Sequence, residues 1–403
     1  MKIKAIIYIF CVAAFLSCQE EQVSPADAEL RVLSSEEQEL VRSNNQFAIA
    51  LTQELTQQRS GNLFLSPFYV NMSLSMALNG AESATLGQMR QTLYCDLLDR
   101  LQINKAYNEL NPFLQGLDRN VQLTNANGIW HHQDVAVRPL FRDMMLAYYD
   151  AGVEPIDYFN HKTPTQISKW VEDRTQGKVK TRIPNLIHPL AMYLVSATHI
   201  KGRWAYPFAK ESTAPGTFYS QGDEEVIVPT MFTDQAHYRY FEDDQKTLID
   251  IPYGNERFSM TILMPHPQDS LHSLIKNLDV SSYERELALA DTLNHHLYLP
   301  KFSISSQLAL RKALYQMGMR AAFSNHADFS GIFSDSLDLS MAELIHHAGI
   351  EINEEGTQAA TPRAAAAINR GSGSVVRINR PFIFFIRENH SGAIMYTGVY
   401  QQP

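Results

Sequence analysis

The sequence predicts an α+β fold in one large domain. Three observations point there. Helical periodicity dominates the first half of the chain, and short β-like runs bounded by turn residues dominate the second. No βαβ alternation links the two, and no internal repeat or shift of composition between residues 34 and 403 marks a second domain.

The elements follow in order. Ser34 with Glu37 makes a capping-box pattern. Phe47, Ala48, Leu51 and Leu55 then recur at helical spacing, which predicts a first helix from about Glu36 to about Gln58. Residues 62–67 turn the chain, and Val70 to Leu78 reads as a second helix entering the core. Thr165 to Gly177 is amphipathic, with Ile167, Trp170 and Val171 on one face and Gly177 as a stop. In the second half Leu194 to Ile200, Leu248 to Ile251, Phe258 to Met264 and Leu293 to Leu299 read as strands. Pro381 to Tyr400 reads as two more, joined at the Asn389-His390-Ser391-Gly392 turn.

At 403 residues and 45% hydrophobic, the chain can bury a large core. A net charge of −9, without a basic run, argues against nucleic acid as a partner. The N-terminus reads as a processing signal. Lys2 and Lys4 precede an apolar run from Ile6 to Leu16 that is too short to span a bilayer. Ser17-Cys18 at its end resembles a bacterial lipoprotein cleavage box, so residues 1–17 are expected to be removed and Cys18 lipidated. Gln19-Glu20-Glu21 resembles a surface-export signal, and residues 18–33 read as a polar tether. The expected location is the outer membrane, facing outside, held by the lipid anchor alone, with a secreted or periplasmic form as the alternative. Beyond Cys11 and Cys18, Cys95 is the one other cysteine, so no disulfide is expected in the folded domain, and Cys95 is expected to pack as a small buried apolar residue.

The histidine pairs His131-His132, His295-His296 and His346-His347 do not make a metal site. Adjacent residues on a strand point to opposite faces, and no cysteine or carboxylate stands at ligand spacing. No cofactor is expected.

The most telling segment is residues 354–381. Glu354-Glu355-Gly356-Thr357-Gln358-Ala359-Ala360 opens a stretch of small residues that runs to Ile368-Asn369-Arg370-Gly371-Ser372-Gly373-Ser374 and ends at Arg380-Pro381-Phe382. An extended, flexible segment carrying an arginine suits a protease cleft. Arg370-Gly371-Ser372-Gly373-Ser374 has the outline of a hydrolase nucleophile motif but lacks its strand–turn–helix setting, so catalysis is not expected.

Taken together, the motifs resemble the serpin family from about Ser34 to Pro403. Asn62-Leu63-Phe64-Leu65-Ser66-Pro67 with Ala77-Leu78-Asn79-Gly80-Ala81 is similar to the family's second helix. Ile167 to Gly177 is similar to the helix that crosses its main sheet, and Lys201-Gly202-Arg203-Trp204 to the top of that sheet. Ile251-Pro252-Tyr253, Leu299-Pro300-Lys301-Phe302 and Ala327-Asp328-Phe329-Ser330-Gly331-Ile332 follow in the family's order. The resemblance implies a main mixed sheet, two smaller sheets, eight or nine helices and an exposed reactive-centre loop over about 356–376. It implies a monomer that inhibits serine proteases as a suicide substrate, with Arg370-Gly371 as the reactive bond and Ile368 and Asn369 filling adjacent subsites. Residues 354–360 would be the hinge, Ser66, Ser196 and His346 would lie beneath the opening strands, and Trp204 would lie at the top of the sheet. Arginine before the bond would select trypsin-like proteases, and cysteine proteases that prefer arginine would accept it too. Arg363, the rival arginine, lies too close to the hinge.

Some residues depart from the family's pattern. Pro362 cannot donate a ladder hydrogen bond, and Arg363 would share the inward face with Thr357, Ala359 and Thr361. Tyr69 and Ser196 stand where a small residue and an asparagine are usual. A non-inhibitory serpin acting as an envelope binding or structural protein is the competing expectation.

Overall fold

In the computed structural model the described residues are 27–186, 191–220, 224–234, 237–294, 296–334, 339–357 and 375–403. Among them are nine α-helices and seventeen strands in three sheets. The helices are α1 (Ser35–Gln58), α2 (Pro67–Leu78), α3 (Ser83–Thr92), α4 (Arg100–Gly116), α5 (Pro139–Tyr149), α6 (Thr163–Arg174), α7 (Leu271–Lys276), α8 (Val280–Leu289) and α9 (Arg311–Gln316). With strands numbered in chain order, the mixed sheet runs β12 (Phe302–Ala309), β13 (Ser340–Asn353), β14 (Gly356–Thr357), β4 (Ala191–Arg203), β2 (Val121–His132) and β3 (Gly152–Ile156). An antiparallel sheet runs β1 (Leu63–Leu65), β17 (Ile394–Tyr400), β16 (Phe382–Glu388), β9 (Phe258–Pro265), β8 (Lys246–Tyr253), β7 (His237–Glu242) and β10 (Asp291–Asn294). The third runs β15 (Val375–Arg377), β11 (His296–Pro300), β6 (Glu225–Thr233) and β5 (Ala214–Tyr219).

Local chemistry explains the helices that sequence located. Ser34 and Glu37 form the reciprocal capping box of α1. Ser66 caps α2, with Pro67 in its first turn, and every residue of that helix is buried. It therefore starts three residues before the apolar run suggests. Gly177, at φ +74°, follows the end of α6.

The mixed sheet separates two cores. On its back, Leu194, Leu344 and Met192 join the large core with α1, α2 and the antiparallel sheet. On its front, Tyr193, Val195, Ala197 and Ile345 pack with Ile167 and Val171 of α6 in a smaller core. Alternate residues of β4 and β13 thus belong to different cores, as strand geometry requires.

Two boundaries differ from expectation. The run Leu293 to Leu299 is not one strand. The chain changes sheets there, Asp291–Asn294 pairing with β7 and His296–Pro300 with β6 and β15. The polar stretch ending at residue 33 is also partly docked. The Ala28 amide donates to Gly116 O at 2.7 Å, the Arg31 guanidinium lies 4.6 Å from the Phe113 ring centre, and Leu33 is buried. Asp27 meets Arg119 and Asn255. A free tether can therefore include none of residues 27–33. Cys95 is buried, and burial pushes its thiol up to about 11, as suits an unreactive packing residue.

Candidate functional site

β4 and β13 lie side by side in parallel from Ala191 and Ser340 up to His199 and Gly349. Beyond that point they separate, and β14 enters between them. Gly356 and Thr357 pair antiparallel with Asn353 and Ile352 on one side and with Arg203 and Gly202 on the other. The hinge begins as a short wedge between two strands that are still zipped together below it.

Each residue of the wedge has a physical reason to be there. Gly356 has φ +132°, and an added Cβ would stand 2.1 Å from Gly202 O and 2.7 Å from Arg203 Cα. No other residue fits without moving backbone. Thr357 is fully buried, and its hydroxyl donates to the Tyr253 oxygen at 3.1 Å. Tyr253 in turn stacks on Trp204, with ring centres 4.3 Å apart.

The two glutamates before the wedge are anchored. Glu354 is buried and accepts from Lys301 Nζ at 3.0 Å and from Thr213 Oγ1 at 2.7 Å. Burial would raise its carboxyl, but the hydrogen bonds from Thr213 and Lys301 outweigh it and hold the group below its ordinary value. Glu355 pairs with Lys210 at 2.8 Å. Their backbones are held too: Trp204 and Phe208 amides donate to the Glu355 and Glu354 carbonyls, and the Trp204 indole N–H donates to Asn353 O at 2.9 Å. Trp204 thus fastens the top of β4 to the end of β13.

Beneath the seam the structure brings together Ser66, Ser196 and His346. His346 and Ser196 are partners across β13 and β4. His346 Nε2 accepts from the Ser66 amide at 3.0 Å, and Ser66 Oγ donates to Met395 O at 2.6 Å. The contact of Ser196 with the Tyr69 carbonyl is long, at 3.5 Å. Tyr69 itself is fully buried against Phe68. Ser66 therefore ties the α2 N-terminus to both flanking sheets beneath the paired stretch of β4 and β13.

Burial and the neighbouring His347 depress the His346 ring to about 3, against the opposing pull of the Ser196 backbone, so it is neutral at ordinary pH. The unfolded ring titrates near 6.5. The unfolded state thus binds more protons as pH falls below 6.5, and stability is lost progressively from there down to about pH 3. His346→Gln, whose amide oxygen can accept from Ser66, is expected to reduce the slope of stability against pH by about 1.4 kcal/mol per pH unit between roughly pH 6 and 4. Denaturant melts at several pH values check this, and an unchanged slope refutes it.

The hinge residues Gln358, Ala359 and Ala360, the subsite residues Ile368 and Asn369, the bond Arg370-Gly371, and Pro362, Arg363 and Cys18 lie outside the described residues. Sequence assigned no role to Gly202, Tyr253, Lys210, Thr213 or Lys301, although Gly202, Tyr253 and Lys301 sit in quoted motifs. Their partners lie from about fifty to about 150 residues away in the chain, so no local pattern could announce the contact.

Known proteins share both the sequence pattern and the overall fold. Residues 42–403 match the family described as Serpin (serine protease inhibitor). Iripin-8 of Ixodes ricinus is 30% identical over 381 residues, covering 91% of this chain and 94% of that protein. A serine protease inhibitor of Cyanea capillata is 29% identical over 352 residues, covering 85% and 92%. Among solved structures, the thermophilic serpin tengpin in its native state superposes with a TM-score of 0.84 at 25% identity, covering 93% of this chain and 96% of that one. The chain belongs to the serpin family.

Proposed function

We propose that the chain is a suicide-substrate inhibitor of trypsin-like serine proteases, with Arg370-Gly371 as the reactive bond. The observation that carries this reading is the wedge at Gly356 and Thr357. Continuing its register, the next residues would run past Lys201 and Ile200 on β4 and Glu351 and Ile350 on β13. Those residues are paired with β2 and β12 on their outer sides and not with each other across the gap. A cut loop therefore has a strand already begun and a gap two residues long ahead of it, below which it would have to separate the paired strands.

The protease serine would attack the Arg370 carbonyl and form an acyl-enzyme. Cleavage would free residues 357–370 to enter the sheet. Fourteen residues span about 46 Å at roughly 3.3 Å each, so an attached protease would be dragged across the molecule. Displacement of catalytic groups by about 1 Å can cost around a hundredfold, so deacylation would stop. The intact state is then a kinetic trap that relaxes only when cut.

The test is incubation with trypsin. A covalent complex stable in SDS is expected, together with a released peptide whose mass begins at Gly371. Clean cleavage without retained protease, and no gain in thermal stability afterwards, would support the second reading, a non-inhibitory serpin. Pro362 and Arg363 favour that reading, since one lacks a ladder donor and the other would bring a charge to the inward face. Arginine-preferring cysteine proteases make a further arm of the same assay.

The same proposal has the precursor cut before Cys18, the cysteine lipidated and the body held outside a bacterial outer membrane. Palmitate labelling that survives Cys18→Ala would refute the anchor, and protease shaving of whole cells reads its orientation.

A further inference from the structure

Where β4 and β13 stop pairing, the front of the mixed sheet holds a cavity of about 240 Å³. Its walls include His199 from β4, His347 from β13, Lys178 and Lys180 from the segment after α6, and Ser305 from β12. Gly349 leaves it open on the β13 side: a Cβ there would meet nothing closer than 3.8 Å. The two histidines stand on the same face of neighbouring strands, two register steps apart.

Two features of this cavity are unexplained by folding. His199 is 8% exposed, and its Nδ1 is buried without a hydrogen-bond partner. The Nδ1 of His347 is likewise buried and unpartnered. Buried polar atoms in native proteins nearly always have partners, so two orphans on one cavity point to something that fills it. The charge balance says what kind. Burial and the charges of Lys178 and Lys201 depress His199 to about 4, which marks an electropositive setting. Glu351 lies at the exposed rim, where it accepts from Asn353 at 3.3 Å. The lysines disfavour a cation, and among the described residues no group of three His, Cys, Asp or Glu could hold a metal. Lys178, Lys180 and the Ser305 hydroxyl are exposed at the cavity, and the two buried Nδ1 atoms lie in its wall, where a small rotation of either ring would let a neutral imidazole donate from Nδ1.

We propose that this cavity binds a small free oxyanion of the phosphate or sulfate type, and that the bound ion ties β4 to β13 and so opposes strand entry. The second half rests on the inhibitor reading above. The ion would bridge the two strands at the first pair, Gly349 with His199, that an entering strand has to break. By the register of β14, residue 360 would arrive opposite that pair, so an inserted strand and the ion would compete for one place.

The experiment titrates the mature intact protein with inorganic phosphate by calorimetry, against chloride at equal ionic strength. Phosphate binding that falls at least tenfold in Lys178→Gln/Lys180→Gln, and again in His199→Phe/His347→Leu, is expected. Both lysines are exposed, so the first variant should fold even if the second does not. Equal binding in the lysine variant, or no binding beyond that of chloride, overturns the site. The titration is then repeated on trypsin-nicked protein. Loss of binding in a nicked form that melts higher supports competition with the strand. Retained binding in such a form overturns the competition. Retained binding in a nicked form that gains no stability overturns the inhibitor reading, and the competition with it, while the ion site stands on the first titration.

Discussion

Thr357→Arg is expected to turn the molecule from a trap into a substrate. Thr357 is fully enclosed between β13 and β4, and its hydroxyl is already engaged with Tyr253. An arginine there has neither the volume nor a carboxylate to meet it, since Glu354 and Glu355 are committed to Lys301 and Lys210. Burying an unpaired charge costs several kcal/mol, so the hinge would be expelled and insertion would have to restart against that penalty. At about 1.4 kcal/mol per factor of ten, insertion slows by a hundredfold or more. Deacylation is chemistry on the protease and keeps its own rate. The slower insertion then loses the race, and trypsin is released after cutting Arg370-Gly371. A denaturing gel reads the ratio of covalent complex to cleaved chain. Thr357→Val, close in shape and uncharged, should retain most of the complex. If the arginine variant traps trypsin as well as the parent does, inhibition does not pass through this hinge.

Much of this hinge was legible in the sequence, but not the reason for it. Glu-Glu-Gly-Thr before a run of small residues marks the place, and there Gly356 reads as a pivot. The structure gives it a harder role, because the atoms that exclude a side chain belong to Gly202 and Arg203, about 150 residues earlier. Separations of 53 and 141 residues likewise hid Lys301 and Thr213 as partners of Glu354. Periodicity found α1 and the ends of α2 and α6 to within a few residues, because capping and amphipathic spacing are local. It missed β2, the inner strand Val121–His132 between β4 and β3. There Asn125, Asn127 and Gly128 interrupt any alternation, and burial is set by sheet neighbours on both sides. Periodicity also joined residues 293–299 into one run, since a strand that changes sheets keeps its hydrophobicity. The sequence shows histidines only as chain neighbours, whereas the pair that shares a cavity, His199 and His347, meets only across two strands.

The second large effect should fall on the other sheet and leave the trap untouched. Asp250 on β8 and Arg387 on β16 form an ion pair at 3.1 Å across β9, with both side chains less than 10% exposed. Thr261 on β9 donates to Asp250 at 2.6 Å, and Tyr283 of α8 donates to Thr261 at 3.0 Å. Removing one partner strands the other charge in the core. Asp250→Ala is expected to lower stability by about 3–5 kcal/mol, whereas Asp250→Leu with Arg387→Met should come close to neutral. The antiparallel sheet contains none of the strands that would part for the loop. The loss should therefore be of equal size in intact and in nicked protein, while the ratio of complex to cleaved chain stays that of the parent. Denaturant midpoints on both forms measure the first, and the trypsin gel the second. Thr357→Arg should show the opposite division, with the intact fold little changed and the trap lost. A fall in complex yield with Asp250→Ala would mean that the antiparallel sheet takes part in the strand movement, and the two sheets could no longer be assigned separate tasks.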